Sequence, residues 1–214
     1  MRRKGMGFFN FIKKIKTHVS AGRGIPGNGN AISEHRKVES FQDIELNGKL
    51  HFSISKGKPA LTIKGDSNLI QYLKTENNNG FLIVSIKENI NPRSVLKINI
   101  RVPKLISLKL NGSSKGKIKN IDEEKFTINL SGASNISMSG KVRDFALNIS
   151  GAGNLKAKEC EIERCSVVIS GAGNAILKVE EDLKVNISGA GKLSYLGDPQ
   201  VDKKISGLGT IKKL

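Results

Sequence analysis

A chain of 214 residues with 37% hydrophobic content is long enough for one large domain or two small ones with a core of their own. Aromatics make up only 5% and Trp is absent, so the core must be built from Ile, Leu and Val, which favours strands and disfavours large irregular pockets. Thirty-six Lys and Arg stand against 19 acids, a net charge of +17, which points either to anionic partners such as nucleic acid, lipid or acidic polymers or to a solvated basic surface.

The chain opens "MRRKGMGFFNFIKKIKTHVSAGRG", with seven basic residues and no acid. On a helical wheel Phe8, Ile12, Ile15 and Val19 share one side, Phe9 and Phe11 sit at its margins, and Lys13 and Lys14 lie opposite. Residues 1–20 are therefore expected to form a short amphipathic helix. Its composition suits an anionic membrane surface, with Phe8, Phe9, Phe11, Ile12, Lys13, Lys14, Ile15, Lys16 and Val19 in contact. Two other readings stay open: a cap over the end of the domain, or a disordered remnant of a signal sequence. The apolar stretch "GMGFFNFI" is too short and too soon interrupted by "KKIK" for a secretory h-region. The glycine-rich residues 21–33 read as a flexible linker.

From residue 34 to 102 the pattern is of short strands broken by Asn-Gly, Lys-Gly and Asn-rich turns, taken as divergent first coils of the domain that fills residues 34–214. From 103 onward one phrase recurs: "LNGSSKG", "LSGASN", "ISGAGN", "ISGAGN", "ISGAGK" and "ISGLGT". The residues after the leading aliphatic, from Asn111 to Ser206, are spaced by 20, 19, 20, 18 and 18. A fixed period of this size is the mark of a solenoid.

Apolar residues alternate on both sides of each phrase, and once two strands are drawn no room remains for a helix within a period. The expected fold is all-β, a right-handed parallel β-helix of about 18–20 residues per coil. Gly132, Gly151, Gly171, Gly189 and Gly207 then form the corner, by positive φ or by close packing. Ser131, Ser150, Ser170 and Ser188 make one expected ladder, and Asn135, Asn154 and Asn174 another.

Binding-loop readings of the phrase fail on spacing. "GAGNLK" lacks the third glycine and the helix of a dinucleotide fingerprint, "GAGKLS" lacks the upstream glycine of a phosphate loop, and no copy carries the Asp of calcium-binding β-roll repeats. Cys160 and Cys165 are too far apart for a CxxC pair, and His18, His35 and His51 are scattered, so neither a metal nor a cofactor is expected. Whether the two thiols pair is left open. Acidic clusters at Asp122–Glu124, Glu159–Glu163 and Glu180–Asp182 recur near the opposite turn. They are interspersed with Lys119, Lys125, Lys158, Arg164, Lys178 and Lys184, as in a mutually neutralising rim. No nucleophile with a base partner is readable, so no catalytic residue is expected. Interleaved aromatics are missing, so any nucleic-acid affinity would be non-specific. Lysines near the end of the chain discourage strand addition, leaving a monomer or a weak end-to-end dimer.

The opening Arg36, Phe41 and Ile44, "GDSNLI" from Gly65, "NNGFLIVSI" from Asn78, "INIRVPKLISLKLNGSSKG" from Ile98 and the SGAGN coils, in this order, resemble the head GIN domain family, described as putative auto-transporter adhesins. The resemblance covers about residues 27–214. It implies a β-helical envelope or extracellular module, and it does not imply any catalytic residues. The expected function is a non-enzymatic scaffold or adhesin-like binding module, associated with the envelope or membrane and facing an anionic membrane, a polysaccharide or a protein. A carbohydrate-active β-helix enzyme and a basic binder of nucleic acid or other anionic polymers are the alternatives. The envelope is the compartment that the resemblance implies, and the lack of a clear signal peptide leaves the cytoplasm open.

Overall fold

The computed structural model describes residues 24–214. These contain one 3-10 turn, Ile70–Tyr72, and seventeen strands. In chain order the strands are β1 (Ile25–Pro26), β2 (Ala31–Arg36), β3 (Asp43–Asn47), β4 (His51–Lys56), β5 (Ala60–Asp66), β6 (Leu73–Asn78), β7 (Phe81–Ile86), β8 (Ile90–Asn91) and β9 (Lys97–Val102). There follow β10 (Ser107–Asn111), β11 (Lys115–Ser131), β12 (Asn135–Ile149), β13 (Asn154–Ile169), β14 (Asn174–Ile187), β15 (Lys192–Leu196), β16 (Gln200–Ile205) and β17 (Thr210–Lys213). Together they wind a parallel β-solenoid of about five turns. The helix expected within residues 1–20 lies outside the described residues.

Alternation of side chains fixes which half of each strand faces inward. In the repeats the buried parity is the expected one: Ile128 and Leu130, Leu147 and Ile149, Val167 and Ile169, and Val185 and Ile187 all point into the core. Register stacks them into continuous columns, such as Leu82, Ile44, Leu108, Ile128, Leu147, Val167 and Val185. Each such side chain contributes about 1.5–3 kcal/mol on burial, more than any single polar contact on the surface. That column then gives way to Lys203, which is exposed.

The coils have two faces. The first carries β6, β7, β3 and β10, the later halves of β11 to β14, and β16; the second carries β2, β5, β9 and β4, the earlier halves of β11 to β14, then β15 and β17. β11 to β14 do not end at the turn expected opposite the glycine corner. They bend through it, with register breaks between Ile118 and Ile121 and between Ser137 and Ser139. A bulge here lets one strand serve both faces.

The region 34–102 departs from simple coils. β3 and β4 form a coil that sits between an earlier level made by β7 and β9 and the first repeat, although β7 and β9 come later in sequence. Outside that level the pairing turns antiparallel: β6 on β7, and β2 on β5 on β9. Asn79 and Gly80 both have positive φ, +50° and +81°, and make the tight turn of the β6–β7 hairpin. The flexible linker expected at 21–33 needs correction in its described part. Ile25–Pro26 pairs with β8, and β2 begins at Ala31, so this stretch is held by backbone hydrogen bonds.

Candidate functional site

At the repeated corner, Gly132, Gly151, Gly171, Gly189 and Gly207 stack one on another. A Cβ on Gly171 would lie 2.2 Å from the Gly151 carbonyl oxygen, and one on Gly189 2.3 Å from that of Gly171. Close approach of backbone to backbone is thus what demands glycine at these central coils. Asn154 donates to Asn135 at 3.1 Å and Asn174 to Asn154 at 2.8 Å. The serines do not bond to one another: Ser131 and Ser150 donate to carbonyls of the preceding coil, at Leu110 and Leu130. Ser170 and Ser188 occupy the matching exposed positions. A further Asn ladder, Asn148 donating to Asn129 at 2.9 Å, runs on the first face. Ser131, Ser150 and the Asn ladders thus spend hydrogen bonds on the preceding coil, as expected of a structural corner.

The acidic clusters at the opposite bend are tied to cations from adjacent coils. Arg164 reaches Asp144 at 2.8 Å and Glu181 at 3.2 Å, Arg143 reaches Glu124 at 3.1 Å, and Lys141 reaches Glu161 at 3.2 Å. The hydrogen bond and charge of Arg164 hold the Asp144 carboxyl below the usual carboxylate range. Lys141 and Arg143 were not among the partners expected for this rim; Arg164 and Lys178 were. Cys160 and Cys165 are both free and buried, and burial pushes the Cys160 thiol up to about 12 and Cys165 in the same direction. Neither is poised as a nucleophile. Among the described residues there is no group of three or more His, Cys, Asp or Glu fit to hold a metal.

The outward side of the second face differs from the rest of the molecule. Register aligns Lys64, Lys97, His51 and Lys115 in one row. The next row holds Thr62, Asn99, Ser53, Lys117, Ser137 and Lys156, and a third holds Arg101, Ser55 and Lys119. The lysines and Arg101 are all exposed. None of them pairs with an acid among the described residues, and residues 1–23 contain no acid. Between the lysines the short Ser and Asn side chains leave a shallow groove of about 600 Å3 floored by Ser53, Asn99 and Ser137. The first face, by contrast, mixes Asp43, Glu45, Asp144 and Asp182 with Lys109, Arg164 and Lys184. Net charge showed an excess of cations; which face collects them depends on the coil-skipping register of β4 and β9, which the sequence does not display.

One further polar node went unread in the sequence. Asp66, within "GDSNLI", is fully buried and accepts backbone hydrogen bonds from Gly29 at 2.9 Å, Arg93 at 2.8 Å and Ser94 at 3.1 Å. Burial pushes its carboxyl up, but the hydrogen bonds from Ser94, Arg93 and Gly29 outweigh this and hold it below the usual range. It fastens the first described residues to the solenoid. The residues expected at a membrane, Phe8, Phe9, Phe11, Ile12, Lys13, Lys14, Ile15, Lys16 and Val19, lie outside the described residues.

Solved structures similar to this chain share its fold. A putative adhesin from Bacteroides fragilis aligns with a TM-score of 0.73 at 20% identity, covering 89% of this chain and 100% of the other. A putative adhesin from Parabacteroides merdae aligns at 0.59 and 19% identity, covering 89% and 98%. A putative lipid binding protein from Parabacteroides distasonis aligns at 0.55 and 23% identity, covering 89% and 99%. No curated protein matches the chain in sequence. The family model described as putative auto-transporter adhesin, head GIN domain, matches residues 40–199, which runs from just before β3 to the turn after β15. With its β-solenoid and its SGAGN corners inside that match, the chain belongs to the head GIN domain family of putative auto-transporter adhesins.

Proposed function

We propose that the protein is a non-enzymatic, adhesin-like scaffold of the cell envelope, whose rigid second face is its contact surface for envelope polymers. The observation that carries this reading is the segregation of charge: Glu124, Asp144, Glu161 and Glu181 at the bend and Glu45 on the first face are paired with cations, whereas the lysines and Arg101 of the three rows on the second face pair with no acid among the described residues. A surface with unspent charge on a rigid frame is suited to adhesion, because it binds without first having to order itself. The family's description supports the adhesin-like role.

A second reading concerns residues 1–20, where Phe8, Phe9, Phe11, Ile12, Ile15 and Val19 alternate with Lys13, Lys14 and Lys16 without any acid. This segment is proposed to touch an anionic membrane surface and so keep the scaffold at the membrane periphery. The lipid-binding description of the Parabacteroides distasonis protein is in keeping with it.

Cosedimentation of the full chain with bacterial envelope fragments, and in parallel with anionic and neutral vesicles, tests both readings. Binding to fragments that survives protease treatment but is lost after periodate supports the scaffold role. A chain that stays in the supernatant, or that releases new reducing ends from the polysaccharide, contradicts it. Binding to anionic vesicles that disappears in Phe8→Asp/Ile12→Asp supports membrane contact, and unchanged vesicle binding in that variant contradicts it.

A further inference from the structure

From the rows of the second face we infer a specific ligand class: an extended acidic polysaccharide that lies along the solenoid axis between β5 and β13. This inference rests on the adhesin-like reading above and narrows it to one chemistry. Lys97 and Lys115 are two strands apart in the same row, and Lys115, Lys117 and Lys119 follow every second residue of β11. Strand geometry therefore sets the cations roughly 9–10 Å apart along the axis and roughly 6–7 Å apart across it. Lysines standing parallel on a sheet do not converge on one point, as the donors for a single compact anion must. They form a lattice that matches charges repeated along a chain.

The floor of the groove supplies the second half of the recognition. Ser53, Asn99 and Ser137 offer both donors and acceptors at the bottom of the trough, and Asn135 and Asn154 continue it to the next coils. Such groups suit the hydroxyls of sugar rings. The surface also lacks what other polyanions need. No Phe, Tyr or Trp projects from these rows, and the single imidazole of His51 offers no succession of rings for bases to stack on, which disfavours single-stranded nucleic acid. None of the exposed large apolar side chains stands in the three rows, and Phe81, Val168 and Leu208 lie on other parts of the molecule, so the rows themselves have nothing to insert into a bilayer. One arginine against six lysines makes the face a set of point charges with few bidentate forks. The strands beneath are paired on both sides, antiparallel from β2 to β9 and parallel from β9 to β13, which keeps the lattice in place before the ligand arrives.

The test measures binding of the full chain to polygalacturonate over a salt series, with single-stranded DNA and anionic vesicles as competing probes. Two variants with the same change in net charge are compared. Lys115→Glu/Lys117→Glu alters the proposed surface, whereas Lys184→Glu/Lys204→Glu alters exposed positions of the first face. The first pair is expected to lose affinity about tenfold or more and to lower the salt slope by about 1–2, with the second pair close to wild type. Should the glutamates prevent folding, Lys115→Gln/Lys117→Gln reads the same loss in a milder form. Equal losses in both pairs would reduce the effect to net charge and overturn the proposal, as would tighter binding of DNA than of polygalacturonate, tighter vesicle binding that persists in Phe8→Asp/Ile12→Asp, or no polygalacturonate binding at all. Envelope sedimentation of the same variants separates the two levels. If Lys115→Glu/Lys117→Glu still sediments with envelope fragments like wild type, the polysaccharide face fails while the adhesin-like reading stands; if wild type itself does not sediment, that broader reading fails.

Discussion

Gly171 shows how little freedom the corner allows. Its missing Cβ would sit 2.2 Å from a carbonyl oxygen of the neighbouring coil, and that oxygen cannot retreat because it accepts a backbone hydrogen bond from Ala172 at 3.1 Å. Gly171→Ala is therefore expected to cost about 2 kcal/mol and to lower Tm by roughly 4–8 °C. Ala172→Ser, at the exposed tip beside it, is expected to leave Tm unchanged. Thermal unfolding of the two variants checks this, and equal Tm values would contradict it. Asp66 makes a different prediction. Its folded pKa is depressed, so the stability it contributes is fully present above its unfolded pKa and is lost as pH falls through the folded value. Stability of wild type should decline as the pH drops below about 4, and Asp66→Asn should be less stable at neutral pH with a flatter acid limb. Parallel acid limbs in the two proteins would argue against this role. The glycine positions were legible in the sequence because they repeat. Asp66 was not, because its donors at Gly29, Arg93 and Ser94 are brought to it only by tertiary folding.

At the scale of elements, strand positions and inward parity could be read wherever a period existed, since alternation alone assigns a face. Three features escaped that reading. β11 to β14 bend where a turn was expected, because bulges absorb the corner without ending the strand. β2, β5 and β6 pair antiparallel, and nothing in a single alternating segment states the direction of its partner. Residues 24–33 had the composition of a linker, yet their backbone donors and acceptors are used by β8, by β5 and by Asp66. Glycine content marks a capacity for unusual backbone, and contacts decide whether that capacity becomes flexibility or a tight fit.

At the scale of the whole molecule, a solenoid converts sequence period into spatial lattice, so that residues about one period apart become neighbours on one surface. The rows of unpaired cations follow from this, but with a complication: Lys97 and Lys115 flank His51 because the β3–β4 coil lies between levels formed later in the chain. The excess of positive charge was evident from composition, and its concentration on one face required the register. The most direct measurement is lysine acylation footprinting of the full chain, read by mass spectrometry, with and without polygalacturonate at physiological salt. Loss of reactivity at Lys97, Lys115, Lys117 and Lys156, with Lys184 and Lys204 unchanged, is the expected result. Protection spread evenly over both faces, or none at all, would contradict the assignment of the second face as the contact surface.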